Sequence, residues 1–130
     1  MRGSGSVSDL DLLAPDLIAP QADVPIWYQG TWQDLQPGLG YIDTKFGPEL
    51  MFGRAMADTV PYENIALVKA GFAGNSLALD WNPDPDAPGN SWVAFVDGVN
   101  TALATVDTAI YEPEISGMIW AQGARDSQFI

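Results

Sequence analysis

The chain has 130 residues, enough for one domain, and 47% are hydrophobic, so it can bury a core and is not disordered throughout. Acidic residues outnumber basic ones 17 to 5, and the net charge of −12 argues against binding to nucleic acids or anionic membranes. The chain contains no cysteine and no histidine, which excludes disulfides, thiolate or imidazole metal sites, and a Ser-His-Asp triad completed within these residues.

The first 40 residues show little regular pattern. We predict a flexible leader at residues 1–8, because this Gly- and Ser-rich start lacks the apolar stretch of a secretory signal and its serines lack a G-x-S-x-G elbow. The run Val24–Tyr28 predicts a short strand, which Pro25 limits to a sheet edge or to a strand's first position. The rest is predicted to be a long connection.

A helix and a strand follow. Glu49–Thr59 predicts a helix that begins after Pro48 and is stopped by Pro61. Asn64–Ala70 is an almost continuous apolar run between turn signals, which is typical of a buried parallel strand.

A second helix and strand are predicted after a loop. Apolar residues recur at helical spacing from Trp92 to Val106, with Ser91 as a plausible N-cap and Trp92 in the core. Ile115–Gln122 predicts another buried strand. This alternation predicts an α/β fold with a parallel sheet and right-handed crossovers.

Two loops follow the predicted strands, Gly71–Asp80 and Gln122–Asp126, where such sheets place their binding sites. The backbone N–H at Gly74 and the side-chain amide of Gln122 are candidate donors of an oxyanion hole. A tight turn with an Asx hydrogen bond and a polar strand end remain the alternatives.

The acidic segment 80–86 has the alternating spacing of a calcium loop. Pro85 stands where that loop needs glycine, and Ser91 stands where it needs a bidentate glutamate, so a solvated loop is favoured over a metal site. Trp27, Tyr28 and Trp32, together with Trp81, can form a sugar-stacking platform or pack under the N-terminal connection, and both interpretations stay open.

Four motifs occur in a fixed order: F-G-P-E-L-M-F-G at 46–53, I-A-L-V-K at 65–69, G-N-S-L with D-W at 74–81, and G-M-I-W-A-Q-G with an aspartate at 117–126. Together they resemble the sialate O-acetylesterase and acetylxylan esterase-like branch of the SGNH hydrolases, over residues 24–127. The resemblance implies a flavodoxin-like α/β/α sandwich with a parallel sheet that removes acetyl groups from sugar hydroxyls without a cofactor. It is compatible with a secreted or periplasmic setting.

The resemblance also implies that Gly74 and Gln122 form the oxyanion hole together with the nucleophile's own amide. Sugar contacts are expected from the residues around these donors, namely Asn75, Ser76, Trp81, Arg125 and Asp126. The implied partner is therefore an acetylated carbohydrate.

The chain departs from this family pattern at three places. The Gly-Gln-Ser-Asn-Met nucleophile segment and the Asp-x-x-His base segment are missing, and Ala124 stands where a glutamate is usual. We therefore expect residues 1–130 to be a single partial domain, truncated at both ends, with exposed sheet edges that permit self-association. A noncatalytic carbohydrate-binding module and an inactive truncated product remain the alternatives to an esterase.

Overall fold

A computed structural model describes residues 3–40, 42–121 and 125–126. The chain divides into two compact units, Arg2–Gly71 and Phe72–Ile130, and each is described by itself. The elements of the first unit, in chain order, are β1 (Gly5–Ser6), α1 (Val7–Leu13), a 3₁₀ helix (Pro15–Leu17), β2 (Gln21–Tyr28), β3 (Thr31–Leu35), β4 (Lys45–Phe46), α2 (Glu49–Thr59) and β5 (Leu67–Val68).

The start of the chain contributes to the first unit. β1 pairs antiparallel with β4, and α1 begins at Val7, so residues 5–8 of the predicted leader belong to these two elements. The prediction that the rest of the first 40 residues is a long connection is wrong, because it contains α1, the 3₁₀ helix and β3, and β2 already begins at Gln21.

The main sheet has the order β3-β2-β5. β2 and β3 form a hairpin whose two loop residues, Gln29 and Gly30, have φ values of 53° and 85°. Two successive positive φ values match the twist of the strands, as in a type I′ turn. β5 runs parallel to β2 and pairs with it at Ile26 and Trp27.

The strand predicted at Val24–Tyr28 is confirmed, but its position at a sheet edge is wrong. β2 lies between β3 and β5, and it accommodates Pro25 because the β2–β3 register shifts between Gln21 and Pro25. Proline is tolerated at such an irregularity, where its missing N–H breaks no regular ladder bond.

The core of the first unit lies between α2, α1 and the main sheet. Its fully or nearly fully buried members are aliphatic: Leu10, Val24, Ile26, Leu35, Leu39 and Leu50. Gly53 lets α2 approach this core, because a Cβ there would lie 2.4 Å from Leu35 Cδ2. The predicted helix Glu49–Thr59 is confirmed, and the parallel strand predicted at Asn64–Ala70 is confirmed in direction but is shorter and only half-buried.

A buried ion pair ties α2 to the end of β5. Lys69 Nζ lies 2.7 Å from Glu49 Oε1, and the two side chains are only 6% and 12% exposed. The same ammonium donates to Leu39 O and lies 5.1 Å from the centroid of the Tyr28 ring. Glu49 Oε1 also accepts the N–H of Gly47 at 3.0 Å, so the F-G-P-E and L-V-K motifs meet at this pair.

The second unit contains the helix α3 (Asn90–Ala104). The predicted helix is confirmed, but its N-cap residue is Gly89 and Ser91 lies inside the first turn, so the N-cap prediction at Ser91 is wrong. Trp92 is half-buried rather than a full core residue. The described residues combine helices in both units with strands in the first, in agreement with the α/β class, and the main sheet is mixed, with β5 parallel and β3 antiparallel to β2.

The buried strand predicted at Ile115–Gln122 is not formed by its described residues, 115–121. They have no strand conformation and are exposed, with Ile115 and Ile119 both at 66%. Apolar residues of a parallel strand are buried only when neighbouring strands pair with it, and no strand of the described residues pairs with this segment. Of the helices in the described ranges, none is long and apolar enough to span a membrane.

Candidate functional site

The loop that contains Gly74 is the best candidate for a binding site in the second unit. Gly74 has φ +71°, a conformation that side chains with a Cβ rarely adopt, and no atom of the residues that the structure describes lies within 4 Å of the position a Cβ would take. The glycine is therefore required by its backbone conformation rather than by crowding. Its backbone is open to the approach of a ligand.

Asp80 closes the turn that begins after Gly74. Asp80 Oδ2 accepts the N–H of Ser76 at 2.8 Å and the hydroxyl of Ser76 at 3.3 Å. In return, Ser76 O accepts the N–H groups of Asp80 and Trp81, both at 3.2 Å, and Ser76 Oγ accepts the N–H of Leu79 at 3.3 Å. The backbone from 76 to 81 is thus fixed by reciprocal hydrogen bonds.

The same loop is fastened to the start of α3. The carbonyl oxygen of Asp80 accepts the N–H groups of Ser91 at 2.9 Å and Trp92 at 3.1 Å, which satisfies two of the unpaired donors at the helix start. Asn75 Nδ2 donates to Ser91 Oγ, and Ser91 is 2% exposed. The loop is therefore anchored both through its side chains and through its backbone.

Trp81 ends the loop inside an aromatic cluster. It is 8% exposed, and its ring meets the Trp120 ring edge-on at a centroid distance of 4.6 Å. Phe72 and Phe95 complete the cluster at 5.5 and 6.1 Å from Trp81. Such edge contacts fix the direction of the rings.

The other aromatic residues considered for a platform belong to the first unit. Trp27 is buried and Trp32 half-buried, and the two pair across the β2–β3 hairpin with ring centroids 5.5 Å apart. The Tyr28 hydroxyl donates to Gly40 O at 3.2 Å. These three rings pack within the unit that contains the main sheet.

The structure brings Asp126 to the Gly74 loop. Both carboxylate oxygens accept the N–H of Leu77, at 2.9 and 3.1 Å. Arg125 is exposed. Gln122, the second predicted oxyanion donor, lies outside the described residues, so its convergence with Gly74 stays a prediction.

Side-chain oxygens of the acidic segment 80–86 accept hydrogen bonds from backbone N–H groups of the same segment. Asn82 Oδ1 accepts the N–H of Asp84 at 3.2 Å, and Asp84 Oδ1 accepts the N–H of Asp86 at 3.0 Å. Asn82 Nδ2 closes the loop on Ala87 O at 3.0 Å. Across the part of the chain that the structure describes, there is no group of three acidic side chains that could hold a metal ion.

Two residues at the site were not identified by the sequence analysis in the roles they have. Asp80 was interpreted as part of an acidic loop and of the D-W motif, and Ser91 as an N-cap and as a mismatch to a calcium-loop ligand. The signal for Asp80 was the S-x-x-x-D spacing of Ser76 and Asp80, which places the carboxylate over the N–H groups at the start of a helical turn. Ser91 carried no comparable local signal, because its partner Asn75 is 16 residues away.

One comparison with known proteins gives a match. A family model described as carbohydrate esterase, sialic acid-specific acetylesterase, matches residues 1–129. No curated protein and no solved structure matches the chain.

Proposed function

The chain belongs to the sialic acid-specific acetylesterase family of carbohydrate esterases, and from this membership we propose that these residues carry the oxyanion-stabilising loops of a carbohydrate O-acetylesterase. The substrate is an acetylated carbohydrate, and the bond hydrolysed is the acetyl ester on a sugar hydroxyl. The observation that supports this role best is Gly74, whose backbone has a left-handed conformation, with no atom of the described residues within 4 Å of the position a Cβ would take.

In the proposed reaction, the ester carbonyl oxygen lies against the N–H of Gly74 and the side-chain amide of Gln122. A serine attacks the carbonyl carbon, and a histidine accepts the serine proton and passes it to the departing sugar oxygen. Water then hydrolyses the acetyl-serine intermediate and releases acetate. Because these residues include no histidine, the proposal assigns them the stabilisation of the oxyanion and not the base.

The order of strands and helices along the chain also supports this proposed role. β5 is parallel to β2, and α3 lies between β5 and the apolar segment 115–121 in the sequence. This order is that of a β-α-β crossover. Among the described residues the segment is exposed and unpaired, and we infer that it becomes a parallel strand of a three-layer α/β/α sandwich only when a neighbouring strand pairs with it. In that arrangement the Gly74 loop and Gln122 follow the carboxyl ends of two strands, where α/β folds place their binding sites.

The test is acetate release from O-acetylated sialic acid and from acetylated xylo-oligosaccharides. The protein is expressed from the complete reading frame that encodes these residues. Gln122→Ala removes one donor to the oxyanion, so we expect kcat to fall by about two to three orders of magnitude. Gln33→Ala, the same chemical change on β3, is the matched control and should retain the parent kcat.

Two results would contradict the proposal. If the parent protein releases no acetate from either class of substrate, it is not an acetylesterase. If Gln122→Ala retains the parent rate, Gln122 is not an oxyanion donor.

A noncatalytic carbohydrate-binding role is the second candidate. It is favoured by Trp120, which remains 41% exposed although its ring is held against Trp81. A tryptophan face of this kind can stack on a sugar ring. A saturable change in tryptophan fluorescence with acetylated sugar, without acetate release, would support this role over the esterase.

A further inference from the structure

The side chains around Gly74 are engaged with one another, and this bears on what they do. Asn75 donates to Ser91, Ser76 bonds to Asp80, and Asp126 accepts the N–H of Leu77. A polar group that contacts a substrate must exchange its existing partner for it, at a cost comparable to one hydrogen bond. The pattern therefore fits residues that hold the loop better than residues that bind sugar.

Asp80 is the residue on which most of these bonds converge. Its carboxylate fixes the N–H and hydroxyl of Ser76, its own N–H bonds to Ser76 O, and its carbonyl oxygen caps two N–H groups of α3. A single residue therefore connects the turn after Gly74 to the first turn of a 15-residue helix. Without the carboxylate, the Ser76 N–H loses its acceptor, although the bonds to the Asp80 backbone remain.

We propose that Asp80 is a positioning residue, which holds the backbone at 74–76 so that the Gly74 N–H faces the ester oxygen. This inference rests on the proposed esterase function for its catalytic consequence. An oxyanion donor acts only when it is fixed before charge develops, and a displacement of about 1 Å can cost on the order of 100-fold in rate. Asp80 itself does not contact the substrate.

The experiment compares three variants of the protein expressed from its complete reading frame. Asp80→Ala removes the acceptor of the Ser76 N–H, and we expect kcat to fall about 10- to 100-fold with KM within twofold of the parent. Asp80→Asn retains an acceptor oxygen, since Asn and Asp close such turns about equally well, and should recover most of the rate. Asp84→Ala is the matched control, because it also removes an acid and its bond to a backbone N–H outside this turn.

Amide hydrogen exchange in the same variants reports the structural step independently of catalysis. Exchange at the N–H groups of residues 74–77 should become faster in Asp80→Ala and stay at the parent rate in Asp84→Ala. If the parent hydrolyses no acetyl ester, the proposed function fails, and the exchange result alone then decides whether Asp80 holds the loop.

Three results would overturn the positioning role. Unchanged exchange at residues 74–77 in Asp80→Ala would show that the carboxylate does not hold the turn. A raised KM at unchanged kcat would make Asp80 a substrate contact. An Asp80→Asn variant as slow as Asp80→Ala would mean that the negative charge, not the acceptor geometry, is needed.

Discussion

Different interactions stabilise the interior of each of the two units. The unit before Phe72 buries six aliphatic side chains in one cluster and closes a buried ion pair beside it. The described part of the second unit buries only Trp81 and Ala102 among its apolar residues, and it leaves Ile110, Ile115 and Ile119 exposed. Its order near Gly74 comes instead from hydrogen bonds around Asp80.

The first unit therefore has the interactions of a structural scaffold, and the second unit has those of a binding loop. Packing of apolar side chains fixes the position of whole elements, whereas hydrogen bonds to backbone groups fix the direction of individual N–H donors. A loop that presents a donor to a substrate needs the second kind of order. The comparison therefore predicts that substitutions in the first unit act mainly on stability.

The largest effect is expected at the buried ion pair. Lys69→Met keeps most of the apolar stem but leaves the Glu49 carboxylate buried without its partner, so we expect a loss of about 3–5 kcal/mol in the free energy of unfolding. Urea unfolding followed by circular dichroism measures it. Hydrogen exchange should locate the lost protection in residues 3–71.

The other lysine provides the control for this prediction. Lys45 has no ion pair among the residues described, and Lys45→Met should change the free energy of unfolding far less. Adding Glu49→Gln to Lys69→Met removes the unpaired charge and should restore part of the stability. Equal losses for Lys69→Met and Lys45→Met would contradict an energetic role for the buried pair.

The sequence predicted the elements whose signals are local. The helix at Glu49–Thr59 follows from its flanking prolines, and the parallel strand near Leu67 follows from its apolar run. The central position of β2 was not predictable in this way, because the register shift that accommodates Pro25 depends on pairing with β3. The segment 115–121 has the composition of a buried strand, but burial depends on a partner strand, which no local pattern supplies.

The candidate site was predicted to a similar extent. The conformation of Gly74 was foreseeable, because a glycine before Asn-Ser in a loop marks a turn. The partners of the neighbouring side chains were not, since the bond between Asn75 and Ser91 joins residues that only the folding of the loop onto α3 brings together.

The second prediction concerns two glycines that each lie inside a helix, one in each unit. Their replacement by alanine is expected to change the free energy of unfolding by an intermediate amount. Gly53 and Gly98 both lie within helices, but a Cβ at Gly53 would meet Leu35 and Val24, whereas a Cβ at Gly98 would meet no atom of the described residues within 4 Å. Gly53→Ala should therefore destabilise the protein by about 1–3 kcal/mol through overpacking, reduced by the better helix propensity of alanine. Gly98→Ala should stabilise it by about 0.5–1 kcal/mol.

Thermal unfolding of the two alanine variants measures both effects against the parent. Stability changes of opposite sign would support the difference between the units, because the same substitution would lower the stability of the first unit and raise that of the second. If both variants are stabilised, the α2–sheet contact is looser than the distances at Gly53 indicate.

The smallest effect is expected at the surface of the first unit. Arg54 binds Asp23 through two contacts of 2.8 and 3.0 Å, and the hydrogen bond from its guanidinium lowers the pKa of Asp23 from the ordinary value of 3.8. A carboxyl whose pKa is lower in the folded chain stabilises the fold above its unfolded pKa, and this stabilisation is lost as the pH falls through the folded value.

Asp23→Asn should therefore lower the urea midpoint slightly at neutral pH, and the difference from the parent should shrink as the pH falls below about 4. The effect is small because both side chains are partly exposed and solvent screens the pair. Asp34→Asn, at an exposed acid on β3 with no ion pair in the described ranges, is the control for the same chemical change, and it should leave the urea midpoint at neutral pH close to that of the parent. A difference for Asp23→Asn that persists unchanged below pH 4 would mean that the substitution acts through β2 packing rather than through the carboxylate.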